Sequence, residues 1–181
     1  MDGKDGFHII TGGPGSGKTS LLAALARAGL PTMAEAGRSI IQDQLAIGGS
    51  ALPWADRRAF AEQMLAWEMR SYQMARTIEG PVFFDRGVPD VLGYLRLVGE
   101  PVPPHVTAAS HRFRYDRRVF IAPWWPEIYA LDEERRQTPE EAEATFRTMA
   151  EIYAELGYTL IPLPLAPVEE RVRFVLQAVG R

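Results

Sequence analysis

The sequence has 181 residues, of which 46% are hydrophobic and 24% are charged, with a formal net charge of −3. This balance suits one folded domain over residues 1–181, excludes a disordered or fibrous chain, and gives no indication of nucleic-acid binding. The sequence contains no cysteine, which excludes disulfides, zinc–thiolate sites and thiol nucleophiles. The polar N-terminus does not resemble a signal peptide, and no segment approaches the length of a membrane span. We therefore expect a cytoplasmic protein with no membrane partner.

The first half of the chain alternates short apolar runs with helical patterns. Residues 7–11 form an apolar run that ends at glycines and predicts a buried strand, and residues 18–28 then show helical spacing. Residues 32–35 predict a short second strand, and residues 36–45 predict a helix. The clearest helix covers residues 55–79, where an apolar stripe contains Phe60, Met64, Trp67, Met74 and Ile78.

The second half continues the alternation. It predicts a strand over 82–84 and a helix over 89–98, followed by a connection marked by prolines at 101, 103 and 104. A strand over 119–122 comes next, and then an irregular segment over 123–137. The chain ends with a helix that begins with a capping box at Thr138, a strand over 158–163 and a last helix from 168. Alternating strands and helices indicate an α/β fold with a five-stranded parallel sheet covered on both faces.

One segment matches the phosphate-binding pattern G-x-x-x-x-G-K-[ST] in full. It consists of Gly12, Gly13, Pro14, Gly15, Ser16, Gly17, Lys18 and Thr19, with Ser20 next. Glycines let backbone N–H groups surround a phosphate, and the following helix turns its positive end to the same anion. Lys18 is one of two lysines among 20 basic residues, so the chain uses arginine almost everywhere else. A lysine at this position indicates that its compact, mobile ammonium group is needed to contact phosphates. A glycine-rich turn without a ligand is the weaker alternative.

Asp85 and Arg86 follow the predicted strand over 82–84. A carboxylate at the end of a strand beside the phosphate loop can hold Mg²⁺ together with the Thr19 hydroxyl, and Arg86 can contact a phosphate. The alternative is that Asp85 caps the next helix and Arg86 is its solvated neighbour.

Glu35 ends the proposed second strand, and Arg38 lies one turn later. Ligands of parallel sheets bind outside the carboxyl ends of the strands, so both Glu35 and Asp85 would face the γ-phosphate. One of them could take a proton from an acceptor hydroxyl. A carboxylate favoured by the helix dipole is the alternative for Glu35.

Arg135 and Arg136 lie in the irregular segment, within a stretch of alternating charges. Paired arginines in a lid, here about residues 123–138, can close over transferring phosphates. The alternative is a solvated charge run, and the sequence does not say which arginine would act.

These motifs together resemble a group of small P-loop proteins, often labelled AAA-type ATPases or putative kinases. The resemblance rests on the phosphate loop, Glu35-x-x-Arg38, Asp85-Arg86-Gly87-x-x-Asp90, Pro123-Trp124, Asp132-x-x-Arg135, Gly157-Tyr158 and Pro164 to Arg171. The layout is also similar to deoxynucleoside, thymidylate and ribosylnicotinamide kinases. The resemblance implies a three-layer P-loop fold of the nucleoside-monophosphate-kinase type.

The resemblance also implies roles for the singled-out residues. Glu35 would be the base, Asp85 and Thr19 would hold Mg²⁺, and Arg86 would contact acceptor or phosphate, while Arg135 and Arg136 would be lid arginines. The expected function is that of a small-molecule kinase that uses ATP and Mg²⁺ on an unidentified small acceptor. A regulatory ATPase acting on a protein partner is the alternative, and the oligomeric state is not readable from the sequence.

Overall fold

The computed structural model describes residues 5–128 and 138–180. Its strands are β1 Phe7–Gly12, β2 Thr32–Met33, β3 Val82–Asp85, β4 Arg118–Ala122 and β5 Thr159–Pro162. They form one sheet in the order β2-β3-β1-β4-β5, and every neighbouring pair is parallel. The predicted five-stranded parallel sheet is confirmed.

Seven helices were found in the described residues. They are α1 Lys18–Arg27, α2 Ala36–Ile47, α3 Arg57–Ala75, α4 Val88–Leu97, α5 Pro104–Arg112, α6 Pro139–Glu155 and α7 Val168–Ala178, and a short 3₁₀ turn covers Pro126–Ile128. The sequence does not predict helix α5, because the prolines at 101, 103 and 104 indicate a connection. Pro104 is the first residue of α5, where its missing N–H would have no helical partner in any case.

The sheet separates two apolar cores. Ile9 and Phe84 pack with residues of α3, α4 and α6 on one face, whereas Ile10 and Phe83 pack with residues of α1 and α7 on the other. This alternation follows from the two-residue period of a strand. The result is three layers, with β1 in the centre and its carboxyl end between those of β3 and β4.

Among residues 5–128 and 138–180, no helix combines the length and apolar character needed to cross a bilayer.

His8 is buried in β1, beside a cavity of about 610 Å³ at the amino ends of the strands. Its Nδ1 lies 3.8 Å from Asp116 Oδ2 and has no hydrogen-bond partner among the described residues. Burial lowers the pKa of His8, and Arg118 lowers it further, against the opposing charges of Asp116 and Asp5. The cavity lies at the opposite end of the sheet from the phosphate loop, so it is not the nucleotide site.

We expect the low pKa of His8 to make the fold sensitive to mild acid. The unfolded chain binds a proton on His8 more readily than the folded chain, so this stability is lost as the pH falls below about 6.5. His8→Gln should become more stable relative to the wild type by on the order of 1 kcal/mol between pH 7.5 and 5.5, measured by urea unfolding. His111→Gln, at an exposed position, is the control. The prediction would be contradicted if the free energies of unfolding of wild type and His8→Gln differed by the same amount at pH 7.5 and at pH 5.5.

Candidate functional site

The phosphate loop connects the end of β1 with the start of α1. Gly17 caps α1 with a left-handed backbone, φ 75°, which glycine adopts without strain. Lys18 is 5% exposed, and its Nζ donates to the carbonyl oxygen of Gly13 at 2.6 Å. The hydroxyl of Ser16 donates to the same oxygen at 2.7 Å. The ammonium group therefore lies over the loop, at the helix end that favours anions.

Helices α6 and α7 hold the loop from outside. A Cβ atom on Gly13 would lie 2.4 Å from the carbonyl oxygen of Ala142 at the start of α6. On the other side, Nη1 of Arg171 in α7 lies 3.4 Å from the carbonyl oxygen of Gly17. Burial lowers the pKa of Arg171. This close packing leaves no room for a side chain at Gly13 and fixes the loop against the segment that follows the predicted lid.

Three of the predicted site residues line one cavity. Thr19, Asp85 and Glu35 border a space of about 300 Å³ between α1, β2 and α2. Glu35 is the N-cap of α2, but its side chain makes no capping hydrogen bond. The structure thus brings together the candidate base, the candidate metal ligands and the first turn of α1.

Asp85 is 6% exposed, and its Oδ1 has no hydrogen-bond partner among the described residues. Burial, and next the charge of Glu35, raise its pKa to about 6 although Lys18 and Arg86 lower it. Gly87, not Asp85, caps α4. Asp85 lines the same cavity as Thr19, and a carboxylate beside a hydroxyl fits a Mg²⁺ ion, which takes oxygen ligands.

A magnesium site of this kind would need few protein ligands. The described part of the chain contains no cluster of three or more acidic, His or Cys side chains able to hold a metal. In nucleotide sites, Mg²⁺ is bound by one or two protein oxygens, by water and by the substrate phosphates. Asp85 and Thr19 are sufficient for that pattern.

Arg86 has φ 73°, the one positive value outside glycine in the described residues. Such a backbone conformation costs on the order of 1–2 kcal/mol and is typical of functional sites. Nε of Arg86 donates to Glu35 at 3.2 Å, and Nη1 donates to Asp90 at 3.1 Å. Burial acts to lower the pKa of Arg86, but Glu35 and Asp90 outweigh it and raise the pKa above its usual value. The guanidinium is therefore a fixed cation between two elements.

Asp90 is the acceptor of four hydrogen bonds and is 1% exposed. One oxygen accepts from Arg86 and, at 2.6 Å, from the hydroxyl of Thr11. The other accepts from the amide of Gly87 at 3.0 Å and from the hydroxyl of Tyr153 at 2.6 Å. Asp90 thus ties Arg86 to the strand that leads into the phosphate loop and to α6. Sequence analysis gave it no role of its own, although an acid three residues after a glycine cap was a visible signal.

Thr11→Val should loosen this connection without changing the shape of the side chain. Asp90 would lose one donor, at an expected cost of about 1–2 kcal/mol in the free energy of unfolding. Turnover should fall several-fold because Arg86 shares the same oxygen. Urea unfolding and initial rates test this, with Thr11→Ser as the variant that keeps the donor. Equal behaviour of the Val and Ser variants would show that the hydrogen bond is unimportant.

Two predicted lid arginines and one buried acid that was not predicted remain to be placed. Arg135 and Arg136 lie outside the described residues. Glu68, in α3, was not singled out from the sequence, yet it is buried, and its burial together with the charges of Asp90 and Asp85 raises its pKa.

Comparison with known proteins places this geometry in a family. A family model described as "AAA domain" matches residues 7–171, so the chain belongs to that family, as the resemblance implied. No curated protein matches the sequence.

Several solved structures share the fold at low identity. The NadR protein in complex with NR has a TM-score of 0.72 and 17% identity, over 97% of this chain and 51% of that one. Deoxyadenosine kinase from M. mycoides with bound dATP has a TM-score of 0.66 and 12% identity, over 97% and 99%. Shikimate kinase from Acinetobacter baumannii in complex with shikimate has a TM-score of 0.58 and 14% identity, over 97% and 93%. The chain spans about half of the NadR protein. The predicted fold of P-loop kinases is confirmed.

Proposed function

We propose that this protein is a kinase that transfers the γ-phosphate of ATP, with Mg²⁺, to a nucleoside, a nucleotide or a related small acceptor. The observation that carries the proposal is the cavity shared by Thr19, Asp85 and Glu35. A phosphate loop alone serves any NTPase, whereas a second carboxylate beside it offers a base for an acceptor hydroxyl. Proteins of the same fold hold NR, dATP and shikimate, which supports a small acceptor.

The donor nucleotide binds at the phosphate loop in this proposal. The loop consists of Gly12, Gly13, Pro14, Gly15, Ser16, Gly17, Lys18, Thr19 and Ser20. Its backbone N–H groups donate to the phosphates, except at Pro14, which has no N–H and only shapes the loop. Lys18 approaches the β- and γ-phosphates as a point charge. Asp85 and Thr19 would hold Mg²⁺, which when bound neutralises charge on the phosphate oxygens.

Glu35 acts as the base and Asp85 as the metal ligand, although both face the cavity. Glu35 is half-buried and already oriented by Arg86 at 3.2 Å, whereas an oxygen of Asp85 has no partner within residues 5–128 and 138–180. Glu35 accepts the proton of the acceptor hydroxyl while that oxygen bonds to the γ-phosphorus and the bond to the β-phosphate oxygen breaks, releasing ADP. Arg86 contacts the acceptor or the transferred phosphoryl group, and Arg135 and Arg136 close over it from the lid at about residues 123–138. Residues 1–181 form one kinase-like domain in this proposal, and we place it in the cytoplasm, where ATP is available.

A panel of nucleosides, nucleotides and ribosides, incubated with the protein and Mg·ATP, tests the proposal. We expect a phosphorylated product with at least one member, formed at least about 100-fold more slowly by Lys18→Ala. ATP turnover that needs no acceptor and rises with a protein partner would overturn the proposal and favour a regulatory ATPase.

A further inference from the structure

Arg171, in α7, is a buried cation with almost no partner. It is 3% exposed, and its Nε has no hydrogen-bond acceptor within residues 5–128 and 138–180. Nη1 donates one long hydrogen bond, 3.4 Å, to the carbonyl oxygen of Gly17, which already accepts from the amide of Leu21 at 3.2 Å. No ion pair joins the Arg171 guanidinium to a carboxylate in the same part of the chain. Buried charges are almost always paired, because taking an unpaired one out of water is costly.

Arg86 shows how a compensated arginine is held in this protein. Its guanidinium pairs with Glu35 at 3.2 Å and with Asp90 at 3.1 Å, and against its burial these acids raise its pKa. Burial instead lowers the pKa of Arg171. Arginine nonetheless stays protonated in proteins, so the charge of Arg171 persists and a bound anion would balance it.

The Arg171 guanidinium lies against the N-terminal end of α1. A Cβ atom on Gly17, the N-cap of that helix, would be 2.5 Å from Nη1 of Arg171. The first amides of a helix have no helical acceptor and donate to anions that bind there. An arginine at this end adds a second cation to Lys18, and its planar fork can donate two hydrogen bonds to one phosphate. These surroundings favour a phosphate as the missing anion.

Arg171 and the cavity of the candidate site lie on different sides of α1. Successive residues of a helix are turned by about 100° around its axis. Relative to Gly17, the residues of α1 that line the cavity are turned by about 140° to 240°, and they are Thr19, Leu22 and Ala23. In the proposed function, the metal ion and the transferred γ-phosphate belong to the cavity side. The phosphate nearest to the nucleoside, the α-phosphate, is then the one on the Arg171 side.

We propose that Arg171 is a further donor-binding residue, and that it holds the α-phosphate of ATP. After a turn of its long side chain, the guanidinium donates to oxygens of this phosphate as a charge-assisted fork. Giving up the long hydrogen bond to Gly17 costs little, because that oxygen keeps the amide of Leu21. This inference rests on the proposed function, because it adds a residue to the donor site of the same enzyme.

Two forms of ATP that differ at the α-phosphorus alone test the contact. In the Rp and Sp diastereomers of ATPαS, one or the other non-bridging oxygen of the α-phosphate is replaced by sulfur, which is a poorer acceptor. Calorimetry with Mg²⁺ measures the binding of ATP and of both diastereomers to the wild type and to Arg171→Met. We expect the wild type to prefer one diastereomer. Arg171→Met should bind ATP about 10- to 100-fold more weakly and lose most of that preference.

The Tm of the nucleotide-free protein separates binding from a structural role. Methionine keeps an apolar stem without the charge, so Arg171→Met should raise this Tm by a few degrees. Arg171→Lys keeps a cation and should recover part of the affinity for ATP. Arg173→Met is the matched control, because Arg173 is exposed on the same helix, and it should change neither the Tm nor the affinity. A structural Arg171 would give a lower Tm and the diastereomer preference of the wild type, and that result would overturn the inference.

The outcomes separate the inference from the proposed function. If Arg171→Met binds ATP and both diastereomers as the wild type does, or if the wild type does not distinguish the diastereomers, the inference is wrong while the kinase proposal stands. If the wild type binds Mg·ATP through Arg171 but phosphorylates no acceptor, the kinase proposal fails and the inference holds. A wild type that binds no ATP would remove both.

Discussion

Replacing Lys18 with alanine is expected to reduce phosphoryl transfer about 100- to 1,000-fold, the range found when a preorganised group that stabilises transition-state charge is removed. The Lys18 ammonium is buried within the phosphate loop, 2.6 Å from the carbonyl oxygen of Gly13. A group held in this position needs little rearrangement to meet a γ-phosphate. Initial rates with the best acceptor of the panel, with and without the substitution, measure the effect.

Two further variants make the Lys18 result specific. Lys4→Ala removes the other lysine of the chain and should leave the rate unchanged. Lys18→Arg keeps the charge but replaces a compact ammonium with a broad planar group, so we expect it to recover less than a tenth of the activity. Undiminished transfer by Lys18→Ala would mean that the loop does not position the reacting phosphate.

The sequence was most informative where one local rule sufficed. Each strand was found because a short apolar run between turn residues has few other solutions in an α/β chain. The phosphate loop was found because its pattern stands between a buried strand and a helix. Helix α5 was missed because the prolines at 101, 103 and 104 indicated a connection, although proline is compatible with a helix start.

Helix α3 shows why a buried acid was harder to predict from the sequence. The predicted stripe included Met74, which is exposed, but left out Glu68, which is buried. Residues 60, 64 and 68 are spaced by four and share one face, so the position of Glu68 was readable. Its burial was not, because an acid on a helix is expected to face water unless a partner is known.

The long-range contacts of the network around Arg86 could not be predicted from local pattern. Arg86 meets Glu35 across 51 positions, and Asp90 meets Tyr153 across 63. Such pairings depend on how strands and helices are arranged in space, which one sequence does not specify. The motif alone left open whether Asp85 holds Mg²⁺ or caps the next helix. In the structure, Gly87 caps α4.

Asp85→Asn is expected to stabilise the free protein while it removes activity. Burial and Glu35 raise the pKa of Asp85 to about 6 in the folded protein, above an ordinary value of about 4. The folded state therefore binds this proton more tightly than the unfolded chain, and the wild type gains stability as the pH falls from about 7 to about 4. At pH 8 the group is ionised in both states, so its burial as an anion destabilises the fold by about 1–3 kcal/mol.

Asparagine has nearly the same shape and no charge, so Asp85→Asn should recover most of that free energy at pH 8. The gain should shrink toward pH 5, where the wild-type carboxyl group is itself neutral. Urea unfolding at both pH values, without nucleotide or metal, measures it. Asp116→Asn is the control of opposite sign. Burial acts to raise the pKa of Asp116, but hydrogen bonds from Arg118 and the charge of His8 outweigh it and lower the pKa, so that variant should be less stable at pH 8.

The same variant separates a metal ligand from a merely buried acid. If Asp85 holds Mg²⁺, Mg·ATP should raise the Tm of the wild type by several degrees more than that of Asp85→Asn, because binding to the folded state stabilises it by mass action. Transfer should fall at least about 100-fold, since the carboxylate that would hold the Mg²⁺ ion is lost. Equal shifts with Mg·ATP, together with retained transfer, would assign the unpartnered oxygen of Asp85 to something other than the metal. The strained backbone of Arg86, one residue later, would then remain to be explained by the acceptor alone.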